Sequence, residues 1–346
     1  MGTISIKVIT QEEVAKIFRG NINFAFDIVS DALLKAKNQD VIFPDKISQI
    51  FDEQTQNRIN CMPATLKSDK VSGLKWVSVF PTNASKKLQN VTGVMLMSEI
   101  ETGFPVAIID GTLCTKLRTA AVGCVAAKYL APSNVRTLGI IGAGEEAKMH
   151  FILLKKMFPT ISECRISSRS AVSEQRFIQE MSQVADDVHF IAANNDSHIA
   201  ADGADIVITA ISGQAPVLKA SNITKGCLYI HVGGWEDEYD VALKADKIVC
   251  DDWESSKHRT QTICRMYKEG LISDSDIYAN LVDIISNEKI GRENDDEFIY
   301  FNSVGLSYID LNFANEIYKK ALENNLGQNV ILAESSEINY KELVGA

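Results

Sequence analysis

The chain has 346 residues, of which 46% are apolar and 23% are charged, and its formal net charge is −10. That length is enough for two domains with hydrophobic cores, and the negative charge argues against nucleic-acid binding through a general basic surface. No uncharged apolar run reaches the roughly 18 residues that indicate a membrane span, and no basic-then-apolar signal pattern opens the sequence. We therefore expect a globular cytoplasmic protein that binds neither nucleic acid nor membrane.

Cysteine and histidine positions do not indicate a metal site. The seven cysteines are scattered without a CxxC pair, and the five histidines are isolated. In a chain without a signal peptide, an odd number of cysteines indicates reduced thiols, most of which fill the core. We expect no bound metal.

The first part of the chain predicts helices followed by strands. Apolar residues recur at helical spacing over 11–19 and 24–38. Alternating apolar and polar residues predict strands at 58–62, 72–79, 91–98 and 105–109. An alanine-rich segment predicts a long helix over 112–130, and Pro132 marks its end.

From residue 135 onward, predicted strands alternate with helical segments. The candidate strands are 136–141, 163–167, 188–191, 205–209, 227–232, 247–250 and one near 298–301. Such alternation predicts a parallel sheet with helices on both faces. A last helix is expected near 310–325, and the polar residues at 331–346 are expected to be loosely held.

These elements predict an α/β protein with two domains. Residues 132–310 are expected to form a Rossmann-type, doubly wound parallel sheet. Residues 1–131 are expected to form an α+β domain, which residues of about 311–346 complete, so that it is discontinuous in sequence.

A glycine-rich turn follows the strand at 136–141 and opens a helix. Gly142 permits a tight turn, Gly144 leaves room for a pyrophosphate, and Ala147 allows the helix to pack closely on the strand. The first N–H groups of that helix point at the phosphates. The predicted dinucleotide-binding segment is Gly142, Ala143, Gly144, Glu145, Glu146 and Ala147.

The end of the next strand indicates which dinucleotide is preferred. NAD-binding folds often carry an acidic residue there, but this chain has Ser168, Arg169 and Ser170. An arginine pairs with a 2′-phosphate, and no carboxylate is present to repel it. NADP is therefore favoured over NAD, unless Arg169 is only a solvated loop residue.

Three further segments carry a resemblance to a known family. They are Asp110–Ala121, Ala245–Asp252 and Asn302–Asp310, and Pro44, Arg58, Met62-Pro63-Ala64 and Gly73–Trp76 fit the same pattern. Together with the glycine loop, they resemble the ornithine cyclodeaminase/mu-crystallin family over about residues 5–325. Residues 58–63, 251–253 and 291–297 are most similar to a branch that dehydrogenates an amino-carboxyethyl glutamate.

The resemblance implies a homodimer in which the non-Rossmann domain binds substrate and supplies the dimer interface. It also implies a nicotinamide cofactor and chemistry at the Cα–N bond of amino or imino acids. By family position, Arg118 is the clamp for the substrate carboxylate, and Lys75 is a second cation. Lys46 and Arg58 are weaker members of the same pocket, and Met62 and Gly305 are also expected to contact the substrate. Lys75 lies between apolar neighbours on a strand, so it faces either a site or solvent.

An acidic run, Glu236–Asp240, follows the strand at 227–232. It falls beyond the carboxyl end of a strand, where ligands of open α/β sheets bind. Glu236, with Asp237 in reserve, is the candidate for carrying the amine proton, although a solvated acidic loop is the plainer alternative. Cyclodeaminase-type relatives place an aspartate soon after Gly-Gly, whereas here Trp235 follows Gly234, so simple ornithine cyclisation is disfavoured.

The remaining predicted cofactor contacts follow strands or begin helices. Val304 and Ser307 are expected to border the nicotinamide, unless they form a simple strand-to-helix turn. Thr119 and Thr209 either contact the cofactor or are structural hydroxyls. The loop residues beside the strand ends complete the set: Ala210, Val232 and Gly233.

The sequence thus predicts an NAD(P)-dependent oxidoreductase acting on the Cα–N bond of an amino or imino acid. Two alternatives stay open. One is a cyclodeaminase lyase that converts ornithine to proline and ammonia with retained NAD. The other is a non-catalytic, mu-crystallin-like protein that binds a ligand together with NADPH.

Overall fold

The computed structural model describes residues 3–213, 215–334 and 340–345. The chain divides into two compact units. Unit 1 comprises Met1–Asn21, Asn38–Thr115 and Asp310–Ala346, and unit 2 comprises Ile22–Lys37 and Lys116–Ile309.

The strands are short in unit 2 and longer in the middle of unit 1. In chain order they are β1 (Ile4–Ile9), β2 (Val41–Ile42), β3 (Ile47–Asp52), β4 (Asn57–Leu66), β5 (Val71–Val79), β6 (Val91–Glu99), β7 (Pro105–Asp110), β8 (Thr137–Ile141), β9 (Glu163–Ser167), β10 (His189–Ala192), β11 (Ile206–Thr209), β12 (Leu228–His231), β13 (Lys247–Cys250), β14 (Ala279–Asn280), β15 (Ile299–Asn302) and β16 (Gln328–Ala333).

The α-helices are α1 (Gln11–Phe18), α2 (Phe24–Lys37), α3 (Gly111–Leu130), α4 (Glu145–Met157), α5 (Ala171–Met181), α6 (Ser197–Ala201), α7 (Tyr239–Leu243), α8 (Trp253–Ser256), α9 (Thr262–Lys268), α10 (Leu281–Ile285), α11 (Ser307–Glu323) and α12 (Tyr340–Leu343). Short 3-10 helices lie at Pro81–Lys86, Ala220–Asn222 and Asp274–Asp276. In the part of the chain described above, no helix is long and apolar enough to cross a membrane.

Unit 1 is built on a mixed sheet with the strand order β16-β1-β7-β6-β5-β4-β2, and β3 also pairs with β4. β1 runs parallel to β7, and the other pairs are antiparallel. A capping box between Thr10 and Glu13 begins α1. On the covered face, Phe18 stacks on Phe313, and Gly73 allows Leu311 of α11 to approach β5.

Unit 2 contains an all-parallel sheet with the order β10-β9-β8-β11-β12-β15-β13-β14. From β8 the chain first moves outward through β9 to β10, and it then returns to β11 on the other side of β8. This reversal makes the sheet doubly wound and places a ligand crevice at the carboxyl ends of β8 and β11. The α/β class and the Rossmann-type parallel sheet predicted from the sequence are confirmed.

Several elements differ from the sequence prediction. β1, β2, β3 and β14 were not predicted, and residues 331–333 belong to β16, which pairs with β1 instead of lying loose. Residues 335–339 and 346, also part of the predicted loose end, lie outside the described residues. The unit boundaries after Thr115 and Ile309 fall within α3 and α11, and the sequence prediction placed the corresponding boundaries after residues 131 and 310. Residues 22–37 also group with unit 2.

The seven cysteines are all free thiols. Cys61 is half-buried and the other six are buried. Burial raises the pKa of Cys227 to about 12 and that of Cys264 to about 11, which keeps both thiols protonated and unreactive near neutral pH.

Candidate active site

The glycine loop follows β8 at the crevice of the unit 2 sheet. Gly142 has a φ of +116°, and a Cβ there would lie 2.3 Å from the carbonyl oxygen of Ala210. Its N–H donates to the carbonyl of Ser167 at 2.8 Å. Only glycine tolerates this backbone conformation and contact, so the loop is fixed between the ends of β8, β9 and β11.

The residues after Gly142 leave the start of α4 open. Gly144 is the N-cap and has no side chain to cap the helix. A Cβ placed there would have no heavy atom within 4 Å. Glu145, in the first turn, pairs with Lys148 at 2.9 Å and with Lys116 at 3.3 Å, which offsets its charge. Ala147 is fully buried. An open helix N-terminus behind a glycine loop fits a dinucleotide pyrophosphate.

After β9, one arginine side chain is exposed and one carboxylate is buried. Arg169 and Ser170 are exposed. Glu174 is fully buried, and its carboxylate accepts the N–H groups of Ser168, Asn194 and Asn195 at 2.8 to 2.9 Å. The sequence prediction missed Glu174, which fixes this loop without offering its charge to a ligand.

Glu236 joins the loops that follow β11 and β12. Its carboxylate accepts the Thr209 hydroxyl at 2.7 Å and the backbone N–H groups of Ile211 and Gly233 at 2.7 and 2.8 Å. Glu236 and Thr209 are both fully buried. The Thr209 oxygen also bonds the Tyr229 hydroxyl, and its predicted contact with the cofactor stays a prediction.

Asp237 lies in a buried polar network. It accepts hydroxyl groups from Thr262 at 2.6 Å, Tyr300 at 3.1 Å and Tyr229 at 3.3 Å, and His231 Nε2 lies 3.5 Å away. Burial raises the pKa of Asp237 to about 6, although His231 and the hydroxyl donors oppose the rise.

The sequence predicted that Glu236, with Asp237 in reserve, carries the amine proton. Both side chains turn inward and are fully buried. The physical reason is that strand-end N–H groups and buried tyrosine hydroxyls need acceptors, which the two carboxylates provide. Each acid therefore supports the loop that carries it.

Arg118 and Gly305, both predicted to bind substrate, lie together in unit 2. Gly305 has a φ of +84°, and a Cβ there would lie 2.7 Å from Arg118 Nη1. The guanidinium therefore packs directly on the Gly305 backbone, and Arg118 is only 8% exposed. Thr119 and Ser307 are also buried, and Val304 is half-buried.

Asp251 holds the turn on which Arg118 rests. Its carboxylate accepts the N–H groups of Val304 at 2.7 Å and Gly305 at 3.0 Å. Burial raises the pKa of Asp251 to about 6, although these N–H donors oppose the rise. Asp251 was singled out only as part of a family motif, because its contact with residues more than 50 positions away leaves no local pattern in the sequence.

In unit 1, Lys75 points into the covered face of the sheet. Its Nζ lies 2.7 Å from Asp310 Oδ1, and the two side chains are 1% and 2% exposed. Lys75 is paired in register with Met62 and Met95, which are buried. The solvent-facing alternative for Lys75 is therefore excluded, and Asp310 is a partner that the sequence did not predict.

Two weaker candidates also belong to unit 1. Arg58 lies on the same face of β4 as Met62, is half-buried, and donates from Nη1 to the carbonyl of Gln56 at 3.0 Å. Burial lowers the pKa of Arg58. Lys46 is half-buried just before β3. Within residues 3–213, 215–334 and 340–345, no group of three His, Cys, Asp or Glu residues has the geometry of a metal site.

Comparison with known proteins shows which family the chain resembles over most of its length. The sequence profile described as "Ornithine cyclodeaminase/mu-crystallin family" matches residues 7–325. A Staphylococcus aureus relative, N-((2S)-2-amino-2-carboxyethyl)-L-glutamate dehydrogenase, is 29% identical, and the alignment covers 87% of this chain and 91% of that protein.

Two solved structures are similar over almost the whole chain. One is the Thermococcus litoralis Δ1-pyrroline-2-carboxylate reductase in complex with NADH and L-proline, with a TM-score of 0.88, 29% identity, and 94% and 100% of the two chains covered. The other is an archaeal alanine dehydrogenase dimer with bound NAD, with a TM-score of 0.85, 29% identity, and 95% and 100% covered.

Proposed function

We propose that this chain, which belongs to the ornithine cyclodeaminase/mu-crystallin family, is a nicotinamide-dependent oxidoreductase of amino or imino acids. It would transfer hydride to or from the carbon of a Cα–N bond. The observation that carries the proposal is the Arg118 guanidinium, held against Gly305 in the unit that also contains the glycine loop. The activities named for its relatives support the same reaction class.

Arg118 would fix the substrate by its carboxylate. A guanidinium presents paired N–H donors that match a carboxylate bidentately. Asp251 holds the Val304–Gly305 turn by accepting its N–H groups. The backbone of Gly305 then limits where the Arg118 guanidinium can lie. Such a clamp orients Cα toward the hydride that a bound nicotinamide donates or accepts.

Lys75 is proposed as a second substrate-binding cation, with Met62, Lys46 and Arg58 as further members of the substrate site. Asp310 offsets the charge of Lys75 and fixes the direction of its ammonium group. A buried lysine without such a partner would be strongly disfavoured. Glu236 and Asp237 remain predictions as proton carriers, and their hydrogen bonds favour a positioning role.

The proposal is tested by screening amino acids, and keto acids with amines, against NAD(H) and NADP(H) while following absorbance of the reduced nicotinamide. Arg118→Ala is expected to lower kcat/KM by about a hundredfold or more while the dissociation constant of the nucleotide stays nearly unchanged. Arg118→Lys is the conservative comparison. Full activity in Arg118→Ala would overturn the proposal, and release of proline and ammonia from ornithine without net turnover would indicate a cyclodeaminase instead.

We further propose NADP as the preferred cofactor, with NAD as the alternative. Two observations support this choice: Arg169 is exposed beside Ser168 and Ser170, and the nearby acid Glu174 is buried. The related structures carry NADH and NAD, so the nicotinamide itself is the shared feature.

We also propose that the protein is a homodimer assembled through unit 1. Ile47, Cys61, Trp76 and Val94 form one row across β3, β4, β5 and β6. Ile47, Trp76 and Val94 are 62%, 39% and 46% exposed, which is unusual for large apolar side chains arranged side by side.

A further inference from the structure

An aromatic–cation pair joins the loop after β12 to α9. Trp235 follows Gly233 and Gly234, and the Arg265 guanidinium lies 4.7 Å from the centre of its ring. The indole Nε1 is buried, yet it has no hydrogen-bond partner among the residues that the structure describes. A buried donor without an acceptor is costly, so this nitrogen is a candidate for ligand contact.

Arg265 is held in place by contacts that leave its outer edge available. It lies on α9, is half-buried, and donates from Nε to the carbonyl of Thr260 at 3.1 Å. Across residues 3–213, 215–334 and 340–345 it forms no ion pair with a carboxylate. Stacking on Trp235 uses the face of the guanidinium, whereas hydrogen bonds to a carboxylate use its edge.

Residues at the start of α9 form hydrogen bonds to two loops of the candidate site in unit 2, the loop after β12 and the loop after β15. The Thr262 hydroxyl donates to Asp237 at 2.6 Å, and Gln261 Nε2 donates to the carbonyl of Ser303 at 3.4 Å. Ser303 precedes the Val304–Gly305 turn that supports Arg118. Arg265, one helical turn further on, is therefore placed at the carboxyl edge of the sheet, where Rossmann-type folds bind ligands.

We propose that Trp235 and Arg265 form a second carboxylate subsite. The substrate would then be an amino or imino acid with a further carboxylate besides the one at Cα. This inference rests on the proposed function and specifies its substrate class. Arg265 supplies a planar pair of N–H donors, Trp235 orients them by stacking, and the indole N–H is a third donor.

The test compares two keto acids of equal length, 2-oxoglutarate and 2-oxopentanoate, which differ by the terminal carboxylate. Each is supplied with 2,3-diaminopropionate and the reduced nucleotide. Condensation releases water and forms an imine, whose carbon accepts hydride from the nucleotide and whose nitrogen takes a proton from water. We expect wild type to prefer 2-oxoglutarate, and Arg265→Gln to lower kcat/KM for it about ten- to a hundredfold, with little change for 2-oxopentanoate.

Matched variants separate recognition from structural support. Lys268→Gln removes a charge from the same helix and should leave the preference unchanged. Trp235→Phe keeps a stacking ring and should retain most of the preference, whereas Trp235→Ala should lose much of it. An equal loss for both keto acids in Arg265→Gln would show a structural role only and would overturn the subsite, as would a wild type that turns over both acids equally.

A binding measurement keeps this inference separate from the proposed function. Glutarate and pentanoate are titrated into the protein with oxidised nucleotide while tryptophan fluorescence is followed. We expect glutarate, but not pentanoate, to quench the fluorescence, and the quenching to be lost in Arg265→Gln. Selective glutarate binding without turnover of any substrate would overturn the proposed reaction but leave the subsite standing. Turnover without selective binding would overturn the subsite alone.

Discussion

Buried carboxylates hold the loops of the candidate site in unit 2. Glu174 accepts three backbone N–H groups after β9 and β10, Glu236 accepts two after β11 and β12, and Asp251 holds the Val304–Gly305 turn. Hydrogen bonds to an ionised acceptor are about twice as strong as neutral ones. Single side chains thus fix loops that have no regular structure of their own.

One consequence for Asp237 is a measurable pH dependence of stability. Its pKa is raised from an ordinary value near 3.8 to about 6, so the folded protein binds a proton that the unfolded chain releases between those values. Protonation of Asp237 therefore makes its full contribution to the free energy of unfolding below pH 4, and this contribution decreases as the pH rises to about 6. The groups facing Asp237 are His231, Glu236, Tyr229, Tyr300 and Thr262.

We therefore predict that the free energy of unfolding of wild type, relative to Asp237→Asn, falls by about 1 to 3 kcal/mol between pH 4 and pH 6 and is level above pH 6.5. Urea unfolding across this range measures the difference. Asp240→Asn, which removes an exposed acid of the same run, is the control. A flat line for Asp237→Asn would contradict the raised pKa.

Arg169 allows a direct test of cofactor preference. If it pairs with a 2′-phosphate, Arg169→Gln should lower kcat/KM for NADPH about tenfold and leave that for NADH nearly unchanged. Initial rates with both nucleotides at a fixed substrate concentration measure this. Arg176→Gln removes an exposed charge from the following helix and serves as the control. Parallel losses with both nucleotides would rule out recognition of the 2′-phosphate by Arg169.

At the scale of elements, the sequence predicted buried strands better than edge strands. β8, β11, β12 and β13 carry short buried apolar runs because helices cover both faces of a parallel sheet. β3 and β16 are exposed at all six of their residues, so no alternation with a buried face marks them. Their positions depend on β4 and β1, and in the case of β16 the partner lies more than 300 residues away.

The same distinction applies to the candidate site. The glycine loop was predicted because its chemistry is local: a strand, a turn and a helix within about ten residues. The inward orientation of the Asp237 side chain was not predicted, because it is set by Tyr229, Tyr300 and Thr262, which lie on different elements of the fold. The pairing of Lys75 with Asp310 spans 235 positions and likewise has no local signature.

At the scale of the whole molecule, the exposed apolar row of unit 1 leads to a prediction about assembly. Ile47, Trp76 and Val94 lie in one row with Cys61 across the four strands β3 to β6, on the face opposite Lys75. Exposed together, they favour association with a second copy of the chain, which is the basis of the proposed dimer. Trp76→Glu should weaken dimerisation by about a hundredfold or more, because a two-fold axis would bury two carboxylates.

Light scattering coupled to size-exclusion chromatography, over a dilution series, measures this effect. Wild type and Trp76→Phe should remain dimeric at concentrations at which Trp76→Glu is monomeric. Leu271→Glu places the same charge on an apolar residue of unit 2 that is 52% exposed, and it should stay dimeric because it lies outside the row. A Trp76→Glu protein that stays dimeric on dilution would show that the interface does not lie on this face. A monomeric wild type would contradict the proposed dimer.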